Sequence, residues 1–504
     1  MNKLLLFIMI CMSQLLANLI HPQDESELNY IHILFRWGAE NNISSYEFEL
    51  SNTEDFSNII NSNTVTDTTF FVKYLSWETN YYWRVKTGDN GVNTNNFSIG
   101  DSRAEVSVTW HDEKNKYSDG YTIFSTPENG GYSAIIDSEG NEIWNSGNDS
   151  IIYYNFLDDG KFFGAIYSPN NTYQYPGIEF SLSGGIKWRE PSDEFVHHEF
   201  MQLPWGDYMG IAHVTQLGPI YATGGYKQSY ININTNYEAD GVTNEWSWWG
   251  DRLVIWDKDS KDVKWYWSAF DHFDMSDYEE GLWETFPHNP LSSLDGHFDW
   301  THMNAFYFDA DSSIYISTRN LSRITKLKYP SGEIIWNMGR DMASDDVTFG
   351  HDLGFSHQHS ISVLENGNIL IFDNGKYSDE YWGANTLQSR ALEIEVSEDD
   401  NGQYSAEIVW EYILPPDLFG PDAGNVQKLS NGNYLLALRG GADVFYNMPG
   451  LRFFGAISKL FFGDTNYAYL LISTFLPFCI FIFFKKYLNK KYALIFFISF
   501  IFVP

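Results

Sequence analysis

The chain has 504 residues, and its 31 basic and 66 acidic side chains give it a formal charge of -35. Such a negative surface repels a phosphate backbone, which excludes nucleic acid as a partner and requires any site for an anionic substrate to be locally positive. Aromatic residues form 18% of the chain and recur in short runs bounded by Gly, Asn, Asp and Ser, a composition that indicates an all-β protein. The two cysteines, Cys11 and Cys479, lie in apolar terminal segments, so the body of the chain has no disulfide framework.

The N-terminal region predicts an export signal followed by a small β-sandwich. Residues 1–17 combine a lysine, an apolar stretch and a small residue at Ala17, the pattern of a secretory signal peptide. Residues 22–104 resemble a fibronectin type III domain, which implies a role in support or docking. The predicted strands that carry this resemblance are 31–37, 46–50 and 81–85.

From about residue 105 the chain carries two alternating repeats. One is a turn followed by a strand that ends in tryptophan, and its tryptophans are Trp144, Trp188, Trp265, Trp336 and Trp410. The other is a Gly-containing turn between two apolar strands, and its turns begin at Leu157, Leu203, Leu364 and Leu429. Because irregular units of four short strands are typical of a β-propeller, the sequence predicts a six-bladed propeller over residues 105–450. Five blades, seven blades and a pair of unrelated sandwiches are the alternatives.

Three histidines occupy comparable places relative to these repeats. His198 and His359 each precede the leucine of a turn unit by five residues, and His302 precedes Tyr307 by the same spacing. The innermost strand of each propeller blade lines the central channel, so we expect the three rings to share a pocket; the alternative is that each is a structural residue with satisfied hydrogen bonds. The remaining histidines considered are expected to be loop or surface groups, and they are His213, His272, His288 and His297.

The motifs around these histidines resemble the bacterial arylsulfate sulfotransferases that work without a nucleotide sulfate donor. The resemblance covers most of residues 105–450, and the segments that carry it are 196–199, 299–304, 317–319, 358–359 with the continuation to 375, 389–393 and 409–412. It implies a six-bladed propeller in which His359 attacks the sulfur of a phenyl sulfate to form a sulfohistidine. It also implies that the sulfuryl group is surrounded by His198, His302, Asn304 and Arg319. The chain departs from the family pattern at Glu199 and Ser360, where the family more often has Asp.

The chemistry of these residue types fits that implication. Sulfuryl transfer, like phosphoryl transfer, spreads negative charge over equatorial oxygens, so a planar guanidinium at Arg319 and further hydrogen-bond donors stabilise the transition state. We therefore predict an aryl sulfotransferase that moves a sulfuryl group from a phenolic sulfate donor to a phenolic acceptor by a ping-pong route, with no cofactor and no metal. The alternatives are an aryl sulfate hydrolase, and a non-catalytic propeller that binds aromatic or sulfated ligands or a protein partner. The sequence leaves a homodimer open.

The C-terminal region predicts a membrane segment over residues 467–504. Residues 467–484 form an 18-residue apolar run without charge, which is just long enough to cross a bilayer, although a buried core helix is the alternative. The lysines that follow favour a cytoplasmic end, so the body of the chain is predicted to be exported, on the periplasmic or extracellular face. These lysines are Lys485, Lys486, Lys490 and Lys491.

Overall fold

The computed structural model describes residues 18–438, except for 41–42, 88–91, 119, 127–129, 158, 168–174, 193–195 and 280–295. The predicted signal at 1–17 and the predicted membrane segment at 467–504 lie outside the described residues and stay predictions. Within the described part of the chain, no helix combines the length and the apolar character that a membrane crossing requires. The described residues form many small β-sheets with few helices, which confirms the all-β prediction.

The N-terminal region contains two packed sheets. One sheet has the order β1 (Leu19–His21), β3 (Ile33–Trp37), β6 (Thr69–Val72). The other has the order β2 (Ser26–Leu28), β8 (Thr94–Ile99), β7 (Thr79–Lys86), β4 (Tyr46–Ser51), β5 (Ile59–Val65). In β3 the residues Ile33, Phe35 and Trp37 are buried while those between them are exposed, because alternate side chains of a strand point to opposite faces. Phe35 packs edge-on against Trp83 of β7 with the ring centres 5.2 Å apart, so aromatic rings fill the space between the two sheets.

Six further sheets follow in the described part of the chain, antiparallel except for one short strand of the third, and we call them sheets I to VI. Sheet I contains β9 (Tyr121–Thr126), β10 (Tyr132–Asp137) and β11 (Glu142–Asn145), and sheet II contains β12 (Ile151–Phe156), β13 (Phe162–Ile166), β14 (Gly177–Phe180) and β15 (Ile186–Arg189). Sheet III contains β16 (Val196–Gln202), β17 (Tyr208–Gly218), β18 (Trp246–Trp256) and β19 (Val263–Ser268), with β20 (Phe298–Asp299) beside β18. Sheet IV contains β21 (Met303–Phe308), β22 (Ser313–Thr318), β23 (Arg323–Lys328) and β24 (Glu333–Gly339). Sheet V contains β25 (His359–Val363), β26 (Ile369–Asp373), β27 (Arg390–Glu398) and β28 (Tyr404–Ile413), and sheet VI contains β29 (Gly424–Lys428) and β30 (Tyr434–Leu438).

Helices are short and lie in the connections between these strands. The α-helical segments are Gly224–Ile233, Ala269–His272 and Ser378–Tyr381, and the 3-10 turns are Lys114–Lys116, Arg319–Leu321, His351–Leu353 and Pro416–Leu418. In each of sheets II to V the strands pair in the order in which they occur along the chain. Such up-and-down pairing needs only short connections, which is why turn residues are so frequent in the sequence.

The turn repeat forms the connection between the first two strands of a sheet. The backbone N–H of Leu203 donates to the carbonyl of Asp207 at 2.7 Å, and Leu364 donates to Asn368 at 2.9 Å in the same way. Each turn holds a glycine in the left-handed region, for example Gly206 at a φ of 98°, where a side chain would be strained. The predicted turns are therefore present as tight connections.

The tryptophan repeat joins sheets I to IV through indole hydrogen bonds. The indole N–H of Trp144 in sheet I donates to the carbonyl of Leu182 in sheet II at 2.7 Å, and Trp188 of sheet II donates to Lys258 of sheet III at 3.0 Å. Trp265 of sheet III donates to Pro330 of sheet IV at 2.8 Å. These tryptophans lie inside the outermost strand of their sheet and not at its end, where the sequence pattern placed them, and their hydrogen bonds position one sheet against its neighbour.

The first strands of successive sheets also contact one another, in the series β12, β16, β21, β25 and β29. The side chain of Asn433 in sheet VI donates to the carbonyl of Lys116, which precedes sheet I, at 2.8 Å. The two N-terminal sheets contact sheet I through a main-chain hydrogen bond in which the N–H of Ile31 donates to the carbonyl of Ile143 at 3.0 Å. The arrangement of the sheets as a six-bladed propeller, and the domain limits at 22–104 and 105–450, stay predictions.

Candidate active site

Irregular backbone at the start of three inner strands positions the predicted site histidines. The pairing register shifts between Val196 and Phe200 in β16, between Met303 and Ala305 in β21, and between His359 and Ile361 in β25. Such bulges re-aim side chains at the end of a strand and are common beside active sites. Non-glycine residues here have positive φ, a conformation that L-residues rarely adopt: 62° at His198, 46° at His302 and 59° at Ser360.

The turn hydrogen bonds correct the predicted register of His302. In sheet IV the bond that closes the first turn runs from Asp309 to the carbonyl of Ser313 at 2.9 Å, and it corresponds to the bonds that begin at Leu203 and Leu364. Five residues before Asp309 lies Asn304, so Asn304 and not His302 matches the position of His198 and His359. The sequence did not indicate this turn, because Ser312, at a φ of 66°, stands where the other turns have glycine.

The three predicted site histidines nevertheless lie close together. The ring centre of His198 lies 5.1 Å from that of His302 and 6.2 Å from that of His359. His359 is buried, whereas the side chain of His198 is exposed to solvent and that of His302 is partly so. The three rings come from sheets III, IV and V, and together they form one cluster that water can reach.

The carboxamide of Asn374 determines which nitrogen of His359 carries hydrogen. The Nδ2 atom of Asn374 donates to the main-chain carbonyls of Gly420 at 2.6 Å and Ala423 at 3.2 Å, so both of its N–H groups are used. Its Oδ1 atom lies 2.8 Å from Nδ1 of His359 and can only accept, so His359 carries its hydrogen on Nδ1. The carbonyl of His357, 3.1 Å from the same nitrogen, agrees with this assignment. The Nε2 atom of His359 therefore presents a lone pair, and it is buried with no hydrogen-bond partner among the described residues.

Burial and a nearby cation keep His359 neutral. Desolvation by burial, and then the positive charge of Arg319, lower the pKa of His359 to about 3. A neutral imidazole with a free lone pair is a competent nucleophile. The same cation that lowers the pKa of the ring is available to an anionic group that approaches Nε2.

Arg319 begins the 3-10 turn that follows β22 and is almost fully buried. Its guanidinium donates to Oδ1 of Asn320 at 2.9 Å and contacts the carboxylate of Asp422 at 3.3 Å, and its buried Nε atom has no partner among the described residues. A guanidinium that is only partly satisfied by protein can bind two oxygens of a planar or tetrahedral anion. Arg319 is therefore available to such an anion.

Asn304 lies buried at the boundary between sheets IV and V. Its Nδ2 atom donates to the main-chain carbonyl of Gln358 at 2.7 Å, and its Oδ1 atom has no partner among the described residues. One N–H and the acceptor oxygen of Asn304 thus stay available to a ligand, whereas the sequence predicted only a donor. Gln358 itself is fully buried and donates to Ser317 at 3.0 Å, which fastens the segment that carries His359 to sheet IV.

His302 forms a close pair with a carboxylate. Its Nδ1 atom lies 2.5 Å from Oδ2 of Asp299. Burial would raise the pKa of Asp299, but the charge of His302 is the largest opposing effect, and the pKa of this carboxyl is lowered. An ionised Asp299 accepts from Nδ1, so the Nε2 atom of His302 points away from the pair. A proton on Nε2 would give an imidazolium whose charge is balanced by its own carboxylate.

A second carboxylate, which the sequence did not single out, lies behind His198. The Oδ1 atom of Asp251 contacts Nε2 of His197 and Nδ1 of His213, each at 3.0 Å, and Nδ1 of His197 lies 2.6 Å from Nδ1 of His198. The prediction that His213 is a loop or surface group is therefore wrong, since it lies in β17 and is mostly buried. The ligand atoms of His197, His213 and Asp251 lie within 4.8 Å of one another, which is also the spacing of a metal site. No sequence pattern pointed to Asp251, which lies 54 residues from His197.

The family model described as Arylsulfotransferase (ASST) matches residues 105–451, which is more than half of the chain. The chain belongs to the arylsulfotransferase family. Family membership supports arylsulfotransferase activity in general terms and the phenolic substrates that such activity implies.

The two departures from the arylsulfotransferase pattern have distinct surroundings. Burial raises the pKa of Glu199 to about 8, and the carboxyl accepts a hydrogen bond from Asn155 at 2.8 Å. Ser360 occupies the bulge beside His359. Among the described residues, Nδ1 of His359 contacts the amide of Asn374 and not a carboxylate.

Three solved structures that match the chain are distant from it. An auxiliary nutrient binding protein from Bacteroides ovatus has 8% identity and a TM-score of 0.30, with 84% of this chain and 81% of that chain covered. Fibronectin(III)-like modules of CbhA from Clostridium thermocellum have 10% identity and a TM-score of 0.16, with 50% and 91% covered. The hydrazine synthase of Kuenenia stuttgartiensis has 11% identity and a TM-score of 0.23, with 58% and 73% covered. No curated protein matches the chain.

Proposed function

We propose that this chain transfers a sulfuryl group from a phenolic sulfate ester to a phenolic acceptor through a sulfohistidine at His359. The observation that carries the proposal is the bare Nε2 atom of His359, held neutral and buried close to Arg319. A lone pair beside a cation is what an anionic sulfate ester requires, because the nucleophile must not be protonated and the sulfuryl oxygens need a counter-charge.

In each half-reaction the bonds formed and broken, the electron pairs and the protons are all accounted for. In the first, the lone pair of Nε2 forms the N–S bond, the S–O bond to the aryl group breaks, and the aryl oxygen keeps the electron pair and takes a proton from an imidazolium or from water. In the second, the acceptor phenol gives its proton to a neutral imidazole, its oxygen forms the new S–O bond, and the N–S electron pair returns to His359. The Nδ1 hydrogen of His359 stays bound to Asn374 throughout.

The positions of the surrounding groups support separate roles. Arg319 and His302, which is paired with Asp299, would contact the sulfuryl oxygens. Asn304 and His198 would complete the wall of the pocket. No step of this scheme requires a metal or a cofactor.

We also propose an architecture and a cellular location for this protein. Sheets I to VI would close around one axis as a six-bladed propeller, and the contacts between first strands and the bond between Asn433 and Lys116 support that closure. The N-terminal sandwich would support the first sheet as a fibronectin type III-like domain. The protein would be exported and tethered to the outer side of a membrane through residues 467–504.

The test is turnover of a chromogenic phenyl sulfate with and without an added phenol. A sulfotransferase gives steady release only when the acceptor is present, and a stoichiometric burst of product without it. Steady release without acceptor would make the protein a hydrolase, and no release at all would leave a binding role. His359→Ala should abolish both the burst and a labelled covalent adduct, so a fully active variant would remove the proposed nucleophile.

A further inference from the structure

The buried carboxylate of Asp251 is linked to His198 through His197, and to His302 through the two residues that flank it. The Oδ1 atom of Asp251 accepts from His197 and His213, and its Oδ2 atom accepts from the Thr301 hydroxyl and from the backbone N–H of Met303, each at 2.6 Å. Four donors on one carboxylate satisfy it almost completely. Burial alone would raise the pKa of Asp251, but the hydrogen bonds from His197 and His213 hold it well below its ordinary value.

The ionised carboxylate fixes the hydrogens of the chain that leads to His198. Asp251 can only accept, so Nε2 of His197 carries a hydrogen; burial, and then the neighbouring His213, lower the pKa of His197 to about 4, which keeps the ring neutral. The Nδ1 atom of His197 is then an acceptor. The 2.6 Å contact with Nδ1 of His198 consequently requires the hydrogen to come from His198. His198 is left with a lone pair on Nε2.

A lone pair at this place suits an aryl hydroxyl and repels a sulfuryl oxygen. Water reaches His198, and its ring centre lies within 6.2 Å of the ring centres of both His302 and His359. The anionic oxygens of the ester have donors at Arg319, so the bare Nε2 of His198 is free to accept the O–H of a phenol. General acid–base catalysis by a positioned histidine of this kind contributes about 10² to 10⁴ in rate.

We propose that Asp251 and His197 are positioning residues that hold His198 as the group exchanging a proton with the aryl oxygen. The inference rests on the proposed function and deepens it. When an acceptor phenol attacks, its proton moves to Nε2 of His198 as the new S–O bond forms and the N–S bond breaks. In the donor half-reaction Nε2 of His198 takes a proton from solvent, which reaches this ring, and passes it to the aryl oxygen as the S–O bond breaks.

Asp251 also supports the backbone around His302. Thr301 and Met303, the two residues that flank His302, both donate to its Oδ2 atom. His302 lies between them at a φ of 46°, a conformation that needs such support. The carboxylate thus couples the orientation of His198 to the placement of His302.

The same cluster has the spacing of a metal site, and the two interpretations differ in their hydrogens. A metal bound by His197, His213 and Asp251 would need lone pairs on the two nitrogens that face the carboxylate. In the hydrogen-bonded arrangement these nitrogens carry hydrogens, and both carboxylate oxygens are already satisfied. We favour hydrogen bonding because Thr301 and Met303 complete the same set.

The decisive experiment uses Asp251→Asn with two donors that differ in their need for a proton. Asparagine offers N–H groups where the carboxylate only accepts, so His197 and then His198 would carry their hydrogens on the opposite nitrogens, which places N–H and not a lone pair at Nε2 of His198. 4-Nitrophenol is acidic enough to leave without a proton, whereas phenol, with a pKa near 10 by analogy with tyrosine, is not. We expect the burst with 4-nitrophenyl sulfate to change less than about fivefold and that with phenyl sulfate to fall about 10²-fold.

Variants of His197 and His213 separate positioning from folding. His197→Asn keeps an acceptor oxygen for His198 and should retain most of the activity with phenyl sulfate, whereas His197→Phe should lose about as much as Asp251→Asn. His213→Phe keeps the stacking on His197, whose ring centre is 4.1 Å away, and does not touch His198, so its ratio of the two donor rates should stay that of the parent. Thermal unfolding of each full-length variant identifies any that fail to fold.

The outcomes distinguish this inference from the proposed function. Equal losses with both donors would mean that Asp251 only maintains structure, and equal retention would mean that it does not position His198; either result overturns the inference. Absence of any burst in the parent protein would overturn the proposed function itself. Loss of activity with a chelator and its return with Zn²⁺ would replace the hydrogen-bonded cluster with a metal centre.

Discussion

The Oδ1 atom of Asn374 lies 2.8 Å from Nδ1 of His359 and leaves the opposite nitrogen of the ring unprotonated. The two N–H groups of Asn374 bind main-chain carbonyls of Gly420 and Ala423, so the amide cannot turn over without losing them. An amide therefore does here what a carboxylate does for many catalytic histidines, but without adding negative charge beside an anionic substrate.

Replacement of Asn374 tests this relationship. Asn374→Leu keeps the approximate volume but removes the acceptor, and we expect the burst rate to fall between about 10-fold and 10²-fold, the scale on which loss of an orienting partner acts. Asn374→Asp restores an acceptor for Nδ1 and should recover part of that loss. A leucine variant with the parental burst rate would show that the amide does not orient His359.

The burst rate should be nearly independent of pH between about 5 and 8. Burial and Arg319 lower the pKa of His359 to about 3, so the ring is neutral over this whole range. A histidine with an ordinary pKa would instead lose about tenfold in rate for each pH unit below 6. Stopped-flow measurement with 4-nitrophenyl sulfate, whose leaving group needs no proton, isolates the nucleophile; a tenfold decline per unit would contradict a neutral His359.

Arg319→Lys should be nearly as inactive as Arg319→Ala. A lysine keeps the charge but not the planar fork, and loss of a preorganised donor set costs about 10² to 10³ in kcat. Asp422→Asn is the matched control, because this carboxylate contacts Arg319 at 3.3 Å and is more than a third exposed, so the pair contributes little. Steady-state kinetics with phenyl sulfate and phenol measure both effects, and a lysine variant of parental activity would show that charge alone suffices.

Glu199→Gln should change the pH dependence of stability. Burial raises the pKa of Glu199 to about 8 from an unfolded value of 4.5, so between these limits the folded state holds a proton that the unfolded state releases. The free energy of unfolding of the parent therefore falls as pH rises from about 5 to 8, and glutamine removes this decline. We expect the variant to be more stable than the parent at pH 8 by on the order of 1 kcal/mol or more. Urea unfolding at several pH values tests this, and parallel curves would contradict it.

Trp265→Phe should destabilise the contact between sheets III and IV. The indole N–H donates to the carbonyl of Pro330 at 2.8 Å, and losing this bond costs about 1 kcal/mol of unfolding free energy. Tyr266→Phe is the control, because Tyr266 is the next residue of the same strand and is 60% exposed. Urea unfolding of both variants at constant pH should show a loss for the first and almost none for the second; equal stability would mean that the tryptophan repeat does not join the sheets.

Local pattern was enough to predict the elements of the fold. The alternation of buried and exposed residues in β3 and the glycine turns after Leu203 and Leu364 are short-range features, and each is present in the structure. The repeated tryptophans lie in outer strands but do not end them. The register of His302 was wrong because its turn uses Ser312 in place of glycine, so the local signal for the turn was missing.

The sequence by itself determined which strands and turns form and which histidine, arginine and asparagine side chains could serve a sulfuryl group. Only the tertiary structure decided the partners of those side chains. Asp251 reaches His197 across 54 residues, and Asn374 binds Gly420 across 46, because neighbouring strands and sheets bring these segments together. The physical reason is that strand periodicity fixes which face a side chain occupies, while its hydrogen-bond partner, and hence its tautomer and pKa, depends on a different strand or sheet packed against that face.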